Sequence, residues 1–104
     1  MTTSKQKAAG SEAERYVARK IGGERLYGYG PVDVTNGSMD VQVKAVALPP
    51  SLNAVRHYLA AMPDRGRLRA VVVIERPGAA FRARRTITFD FDEWVEWYGS
   101  TEGL

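Results

Sequence analysis

The residues best suited to chemistry lie in the segment Met39–Ala45, where polar and apolar side chains alternate. Successive side chains of a β-strand point to opposite faces of the sheet. If this segment is a strand, its apolar residues face the core, and they are Val41, Val43 and Ala45. Its polar residues then form a row on the other face, and they are Asp40, Gln42 and Lys44.

A further carboxylate precedes this strand. Asp33 lies between Val32 and Val34, which we expect to face the core, so parity places Asp33 with the polar row. The dipeptide Asn36-Gly37 follows, and it is a strong signal for a tight hairpin because both residue types tolerate positive φ. The turn would bring Asp33 close to the polar row on the returning strand.

Carboxylate and amide oxygens are the ligands that hard divalent cations prefer, which favours Mg²⁺ or Mn²⁺. Such a cation activates water for hydrolysis of a phosphodiester, and a neighbouring lysine can orient that water or stabilise the developing charge. A second interpretation stays open, since half-exposed strands commonly carry polar residues on an ordinary solvated face.

The elements that must position these residues are predicted from periodicity and from turn residues. A helix is predicted over Ser4–Ile21, with an apolar stripe formed by Ala9, Ala13, Tyr16, Val17 and Ile21. Short strands are predicted over Arg25–Tyr29 and Pro31–Thr35, and the returning strand over Ser38–Val46, so that Pro31–Val46 forms a hairpin.

The second half of the chain continues the pattern. Ser51 is a candidate N-cap for a helix to about Met62, with Leu52, Val55, Leu59 and Met62 on its buried face. The apolar run within Leu68–Glu75 predicts a strand buried on both faces. Arg84–Phe89 is predicted as another strand. A last helix through Tyr98 would be capped by Asp90 or Asp92 and packed down by Trp94, Val95 and Tyr98.

The fold class is therefore α/β (α+β), a mixed sheet flanked by helices in the order α-β-β-β-α-β-β-α.

Composition excludes several classes of function. The 104 residues suit one domain over 1–104, and no apolar stretch approaches the ~20 residues of a membrane span. The absence of cysteine excludes disulfides and thiol catalysis, and the single histidine excludes multi-histidine metal sites. The N-terminus lacks the apolar centre of a secretory signal. We therefore expect a cytoplasmic protein, encoded by a bacterium or a phage.

Charge is unevenly distributed along the chain. The net charge is only +3, but seven arginines fall within residues 65–85 and the C-terminal segment is acidic. Clustered guanidinium groups suit phosphate, because their fork of donors matches phosphate oxygens. A solvated basic loop is the alternative interpretation.

The segments Gly10–Val17, Gly30–Val34 and Val41–Lys44 together resemble the PD-(D/E)xK nuclease superfamily, and in particular its Holliday-junction-resolvase-like branch. The resemblance extends from about residue 5 to residue 76. In that family, a helix that carries a glutamate precedes a hairpin that carries an aspartate and an acid-x-lysine triplet. The resemblance implies a restriction-endonuclease-like core and metal-dependent cleavage of DNA.

The resemblance also implies roles for individual residues. Glu14 matches the helix glutamate that assists metal binding, with Glu12 as its competitor. Asp33 matches the metal-binding aspartate, and Lys44 matches the catalytic lysine. Gln42 stands where the family usually has an acid.

Gln42 leaves three interpretations open. Its carbonyl can bind a cation without contributing charge, as a tolerated variant in an active enzyme. Asp40 can supply the missing carboxylate from two residues earlier. The third interpretation is a nuclease-fold module that binds DNA without cutting it.

Other residues have a less specific relation to DNA. The candidate phosphate contacts are Arg56, His57, Arg82, Arg84 and Arg85. Tyr27 and Tyr29 could touch a sugar or a splayed base, although tyrosines there more often close the rim of a core. Trp94 and Trp97 are expected in the core or in an interface, since acidic residues surround them.

We therefore predict a Mg²⁺- or Mn²⁺-dependent, structure-selective DNA endonuclease, with branched DNA such as a four-way junction as a candidate substrate. A resolvase cuts two symmetric strands, so this function implies a homodimer. The dimer surface would use the last helix or the strand Arg84–Phe89. The alternatives are a catalytically inactive DNA-binding module and a small structural or inhibitory protein of a mobile element.

Overall fold

Alternating and continuous apolar runs fold into one sheet with helices on both of its faces. The computed structural model describes residues 4–28, 30–76 and 82–100. Three helices and five strands follow each other in these residues, and they are α1 (Ser4–Ile21), β1 (Glu24–Arg25), β2 (Val34–Thr35), β3 (Met39–Val46), α2 (Leu52–Ala61), β4 (Leu68–Glu75), β5 (Arg84–Phe89) and α3 (Phe91–Tyr98). None of these helices is long and apolar enough to cross a membrane.

The strands lie side by side in the order β1-β2-β3-β4-β5. Only β3 and β4 are parallel, and α2 makes the crossover between them. The other neighbours are antiparallel. The prediction of a mixed sheet flanked by helices is therefore confirmed.

The two faces of the sheet bury separate apolar clusters. On one face, α1 packs Ala13 and Val17 against Val34, Val41 and other residues of β2–β4. On the opposite face, Val55 of α2 packs against Val71 and Val73 of β4. The strand β4 is buried on both faces, as its continuous apolar run predicted.

The hairpin turns at Asn36 and Gly37 as predicted, but the two residues do not both adopt positive φ. Only Gly37 takes a positive φ, of 91°. Asn36 acts through its side chain, whose Oδ1 accepts hydrogen bonds from the backbone N–H of Ser38 at 3.1 Å and of Met39 at 2.8 Å. These bonds set the register in which Thr35 pairs with Asp40.

The first two strands are shorter than predicted. β1 is Glu24–Arg25 rather than Arg25–Tyr29, and β2 is Val34–Thr35 rather than Pro31–Thr35. Gly28 and Gly30 take positive φ values, which turn the chain away from the sheet between these strands. Tyr29 lies outside the described residues.

The second helix begins where its cap predicts. The Ser51 hydroxyl accepts a hydrogen bond from Ala54 N–H at 3.1 Å. Val55 and Met62 are buried, but the prediction that Leu52 shares their face is wrong, since Leu52 is 70% exposed. The helix meets the sheet through Val55, Tyr58 and Leu59, and its first turn stays open to solvent.

The last helix is held by charge rather than by its aromatic residues. The prediction that Trp94, Val95 and Tyr98 pack it down is wrong, because no described residue of α3 is buried. Asp90 caps α3, and Glu93 accepts hydrogen bonds from the Arg69 backbone N–H and guanidinium at 2.8 to 3.3 Å. Hydrogen bonds between charged groups are about twice as strong as neutral ones, so they can anchor a short helix.

We expect Glu93→Ala to loosen α3 without unfolding the sheet. Losing the pairing with Arg69 should cost about 1 kcal/mol, because both side chains are partly exposed, and should speed local amide hydrogen exchange in α3 about fivefold. Asp92→Ala is the matched control, since Asp92 shares the first turn of α3. Equal protection of α3 in the two variants would contradict this account.

Candidate active site

The site forms where β2 separates from β3. Asp33 donates its backbone N–H to the Val41 carbonyl at 2.9 Å, and its carboxylate Oδ2 accepts the Val43 N–H at 2.8 Å. The carboxylate thus occupies the place where a backbone carbonyl would continue the ladder. These two bonds lie on either side of Gln42 and hold Asp33 opposite it.

Glu14 reaches Asp33 from α1. A hydrogen bond between the two carboxyl groups is one cause of the raised pKa of Asp33. Glu14 Oε2 also accepts from Arg25 Nη2 at 3.0 Å. Glu12, the competing candidate, lies in solvent with a side chain 64% exposed and pairs with Arg76. The structure therefore brings Glu14, rather than Glu12, to Asp33.

Burial and Glu14 together raise the pKa of Asp33 from 3.8 to about 6. Burial is the larger cause, because removal from water penalises the charged carboxylate. The Val43 N–H and the charge of Lys44 act in the opposite direction. Two carboxyl groups in one partly dry site repel each other, and they gain free energy from a shared proton or from a cation.

Gln42 supplies a third oxygen. Its side chain is 8% exposed, and its Oε1 is buried without a hydrogen-bond partner in the described part of the protein. A buried carbonyl that lacks a partner costs about 1–3 kcal/mol. A cation within reach of this oxygen would satisfy it, so the orphaned carbonyl fits an oxygen-coordinated metal.

The possible metal donors are two carboxylates and one amide. Among residues 4–28, 30–76 and 82–100, no three acidic or histidine side chains converge on one point. The additional negative charge that would strengthen such a site is thus missing, and it is missing at Gln42, where the sequence departs from the nuclease pattern.

Lys44 projects toward α2. Its Nζ lies 4.6 Å from the centroid of the Tyr58 ring, which attracts the ammonium group without neutralising it. Lys44 forms no salt bridge within the described residues. Sequence reasoning missed Tyr58, although its position three residues after Val55 places it on the buried side of the same helix.

Asp40 belongs to a different cluster. It is fully buried, and its carboxylate accepts a hydrogen bond from the Thr35 hydroxyl at 2.8 Å. Arg65 Nε and Arg67 Nη1 lie 3.4 and 4.0 Å from its oxygens. These partners give Asp40 a structural role that accounts for its burial. The alternative that Asp40 and Lys44 belong to an ordinary solvated face is wrong for Asp40, which is fully buried, while Lys44 is partly exposed.

Arg25 is a second residue that sequence reasoning missed. It pairs with Glu14, and its guanidinium carbon lies 5.0 Å from the centroid of the Tyr27 ring. No local pattern in β1 identifies it, because the contact joins residues that lie eleven positions apart in different elements.

The predicted DNA contacts do not form one surface. Arg56 and His57 are exposed on α2, beside a cleft of ≈ 510 Å³ that Asp90 and Glu93 also line. The Arg85 guanidinium lies 4.7 Å from the Tyr16 ring centroid, on the α1 side of the sheet. Arg82 and Arg84 are exposed, and Arg84 lies opposite Glu75 in the register of β4 and β5.

Trp94 and Trp97, which we expected in the core or in an interface, are 37% and 43% exposed.

Comparison of the chain with protein-family models, with curated proteins and with solved structures finds no match.

We expect Asp33→Asn to stabilise the protein at neutral pH. The folded state binds the Asp33 proton more tightly than the unfolded state does, so stability falls as pH rises from about 4 to about 6. Asparagine keeps an acceptor for Val43 N–H and removes the charge. The variant should gain about 1 kcal/mol above pH 6, after allowance for partial exposure, and nothing below about pH 4.

Urea denaturation at both pH values measures this difference. Asp64→Asn is the control, since Asp64 also accepts one backbone N–H, from Gly66 at 2.9 Å, but lies in an exposed loop. A loss of stability in Asp33→Asn at neutral pH would contradict the account of a strained carboxylate pair.

Proposed function

We propose that this protein is a divalent-metal-dependent DNA endonuclease with a restriction-endonuclease-like core, selective for branched DNA such as a four-way junction. One observation carries the proposal. The carboxyl groups of Asp33 and Glu14, delivered by a hairpin and a helix, meet in a partly buried site. The strand position opposite Asp33 on β3 is Gln42, whose side-chain carbonyl is buried without a hydrogen-bond partner. Strongly perturbed carboxyl groups commonly mark functional sites.

Asp33, Glu14 and Gln42 would hold the cation. Their oxygens are the hard ligands that Mg²⁺ and Mn²⁺ prefer. When bound, such a cation polarises a phosphoryl oxygen and lowers the pKa of a water molecule. The Val43 N–H fixes the orientation of the Asp33 carboxylate, which supports this role.

Lys44 supplies the remaining positive charge. It follows Gln42 by two residues on β3, so the two side chains share a face of the sheet. An ammonium group without a carboxylate partner can pair with a phosphate oxygen and stabilise the charge that develops during hydrolysis. Tyr58 keeps the ammonium group near this position without competing for its hydrogen bonds.

The second candidate function is a DNA-binding module that does not cut. Two features favour it. Arg25 neutralises part of the charge of Glu14, and Gln42 contributes no negative charge to the site. A site of this kind would hold a cation weakly. Phosphate binding through exposed arginines would remain, and its affinity would fall steeply with salt.

Cleavage of a labelled four-way junction and of a matched linear duplex, in Mg²⁺, Mn²⁺ or EDTA, tests the proposal. We expect metal-dependent cutting of the junction. Lys44→Ala should slow it at least about 100-fold, because one charge that stabilises the transition state is lost. Lys20→Ala is the control, since Lys20 is an exposed lysine on α1 that stacks on Tyr16.

Binding of the junction without cutting in either metal would reject the endonuclease and favour the silent module. Failure to bind DNA at low salt would reject both functions. Cutting that survives in EDTA, or in Lys44→Ala, would reject the site proposed here.

Gln42 provides a test that does not depend on activity. Gln42→Glu should lower the melting temperature in EDTA, because a third carboxylate adds repulsion, and should tighten Mg²⁺ binding about tenfold. Gln42→Met should behave in the opposite way, gaining stability in EDTA and losing any shift with metal, because it removes the orphaned oxygen. Thermal melts with and without Mg²⁺ read out both variants. Equal metal shifts in all three proteins would show that no cation binds at Gln42.

A further inference from the structure

β5 lies at one edge of the sheet formed by the described residues. β5 is the last strand of the sheet and pairs only with β4 among the described strands. Its central residues Thr86, Ile87 and Thr88 carry no charge, proline or glycine. Soluble proteins usually block such an edge, because its free N–H and C=O groups pair readily with another strand.

Exposed apolar side chains concentrate at the same place. Of the nine large hydrophobic residues that are exposed in the described part of the chain, six lie between Ile87 and Tyr98. They start at Ile87, which is 46% exposed, and continue along α3. An apolar concentration of this kind marks a surface that another molecule covers.

The charges around β5 are arranged with opposite signs at its two ends. Arg84 and Arg85 begin the strand, and Asp90 and Asp92 follow its end. A second β5 in the antiparallel direction would bring basic residues next to acidic ones at both ends. A parallel copy would place arginine beside arginine and acid beside acid, which is unfavourable.

We propose that two copies of this chain associate through β5, paired antiparallel about a two-fold axis at Ile87. In this register Thr86 faces Thr88 of the partner subunit, and Arg84 faces Asp90 of the partner subunit. The two five-stranded sheets then form one continuous sheet of ten strands.

The same surface patch is used by both subunits, so the association closes as a dimer. Further growth is disfavoured because the opposite edge of the sheet, β1, is only two residues long. The contact places Arg84 in the subunit interface rather than on DNA. It selects the strand from the two dimer surfaces expected from the sequence. It does not depend on metal or on nucleic acid, so sedimentation of the free protein tests the dimer independently of the cleavage assay.

Sedimentation velocity of the full chain over a range of micromolar concentrations tests the association. We expect a monomer–dimer equilibrium. Ile87→Lys should give monomer at all these concentrations, because two buried ammonium groups would meet on the axis. The Leu48→Lys variant is the matched control and should remain dimeric. Leu48 is an exposed apolar residue, 80% accessible, that lies outside β5 and α3.

The charge pairing has its own test. Arg84→Glu should weaken dimerisation at least about tenfold, because each of the two symmetric attractions becomes a repulsion. Adding Asp90→Asn should recover part of this loss, since asparagine removes the repulsion and still caps α3. Circular dichroism checks that each variant is folded.

Three results would overturn the proposal. They are a monomeric wild-type protein at the highest concentration, a dimer that Ile87→Lys leaves intact, and equal effects of Ile87→Lys and Leu48→Lys. Association only in the presence of DNA would also overturn it, because it would assign the edge to a nucleic-acid complex.

Discussion

The hydrogen bond from the Val43 N–H to the Asp33 carboxylate is the constraint on which the candidate site depends. It ends the β2–β3 ladder by placing a side chain where the next backbone carbonyl would lie. The chain can then leave the sheet through the turns at Gly28 and Gly30 without leaving the Val43 amide unpaired. The same bond keeps the Asp33 carboxylate partly buried and close to Glu14, where ionising it costs free energy.

Apolar packing of β3 against α1 holds the strand that carries the site in place. Val41 is fully buried against α1, and Val43 packs beside it, so β3 cannot shift by one residue without exposing this cluster. The fixed register is what forces Gln42 into a buried position with its carbonyl unsatisfied. The site is therefore an electrostatically unfavourable arrangement that a well-packed strand sustains, which is the usual relation between a functional site and its scaffold.

Two other polar residues of the sheet show how differently this protein treats buried charge. Asp40 is completely buried but is surrounded by a hydroxyl and two guanidinium groups, so its charge is compensated within the fold. Asp33 lies two residues before Thr35, the partner of Asp40, and has instead another carboxyl group for a neighbour. The contrast between a compensated and an uncompensated carboxylate separates a structural acid from a candidate ligand.

The carboxylate of Glu93 is likewise compensated, because it pairs with Arg69. This pair anchors helix α3 and leaves its aromatic residues exposed.

Local sequence determined the elements whose signals are short-range. The cap at Ser51, the apolar run of β4 and the strand Arg84–Phe89 were all predicted within a residue or so, because capping bonds and periodicity depend only on near neighbours. The alternation of β3 likewise placed Val41 in the core and identified the polar row. Strand parity and the Asn36-Gly37 turn also identified Asp33, whereas Glu14 was identified only through a family resemblance.

Tertiary structure decided everything that depends on contacts between distant residues. It distinguished Glu14 from Glu12, gave Asp40 its arginine partners, set Tyr58 beneath Lys44 and left Leu52 and the aromatic residues of α3 in solvent. None of these outcomes is encoded in spacing along the chain, because spacing determines which face of an element a residue occupies but not what the fold brings against that face.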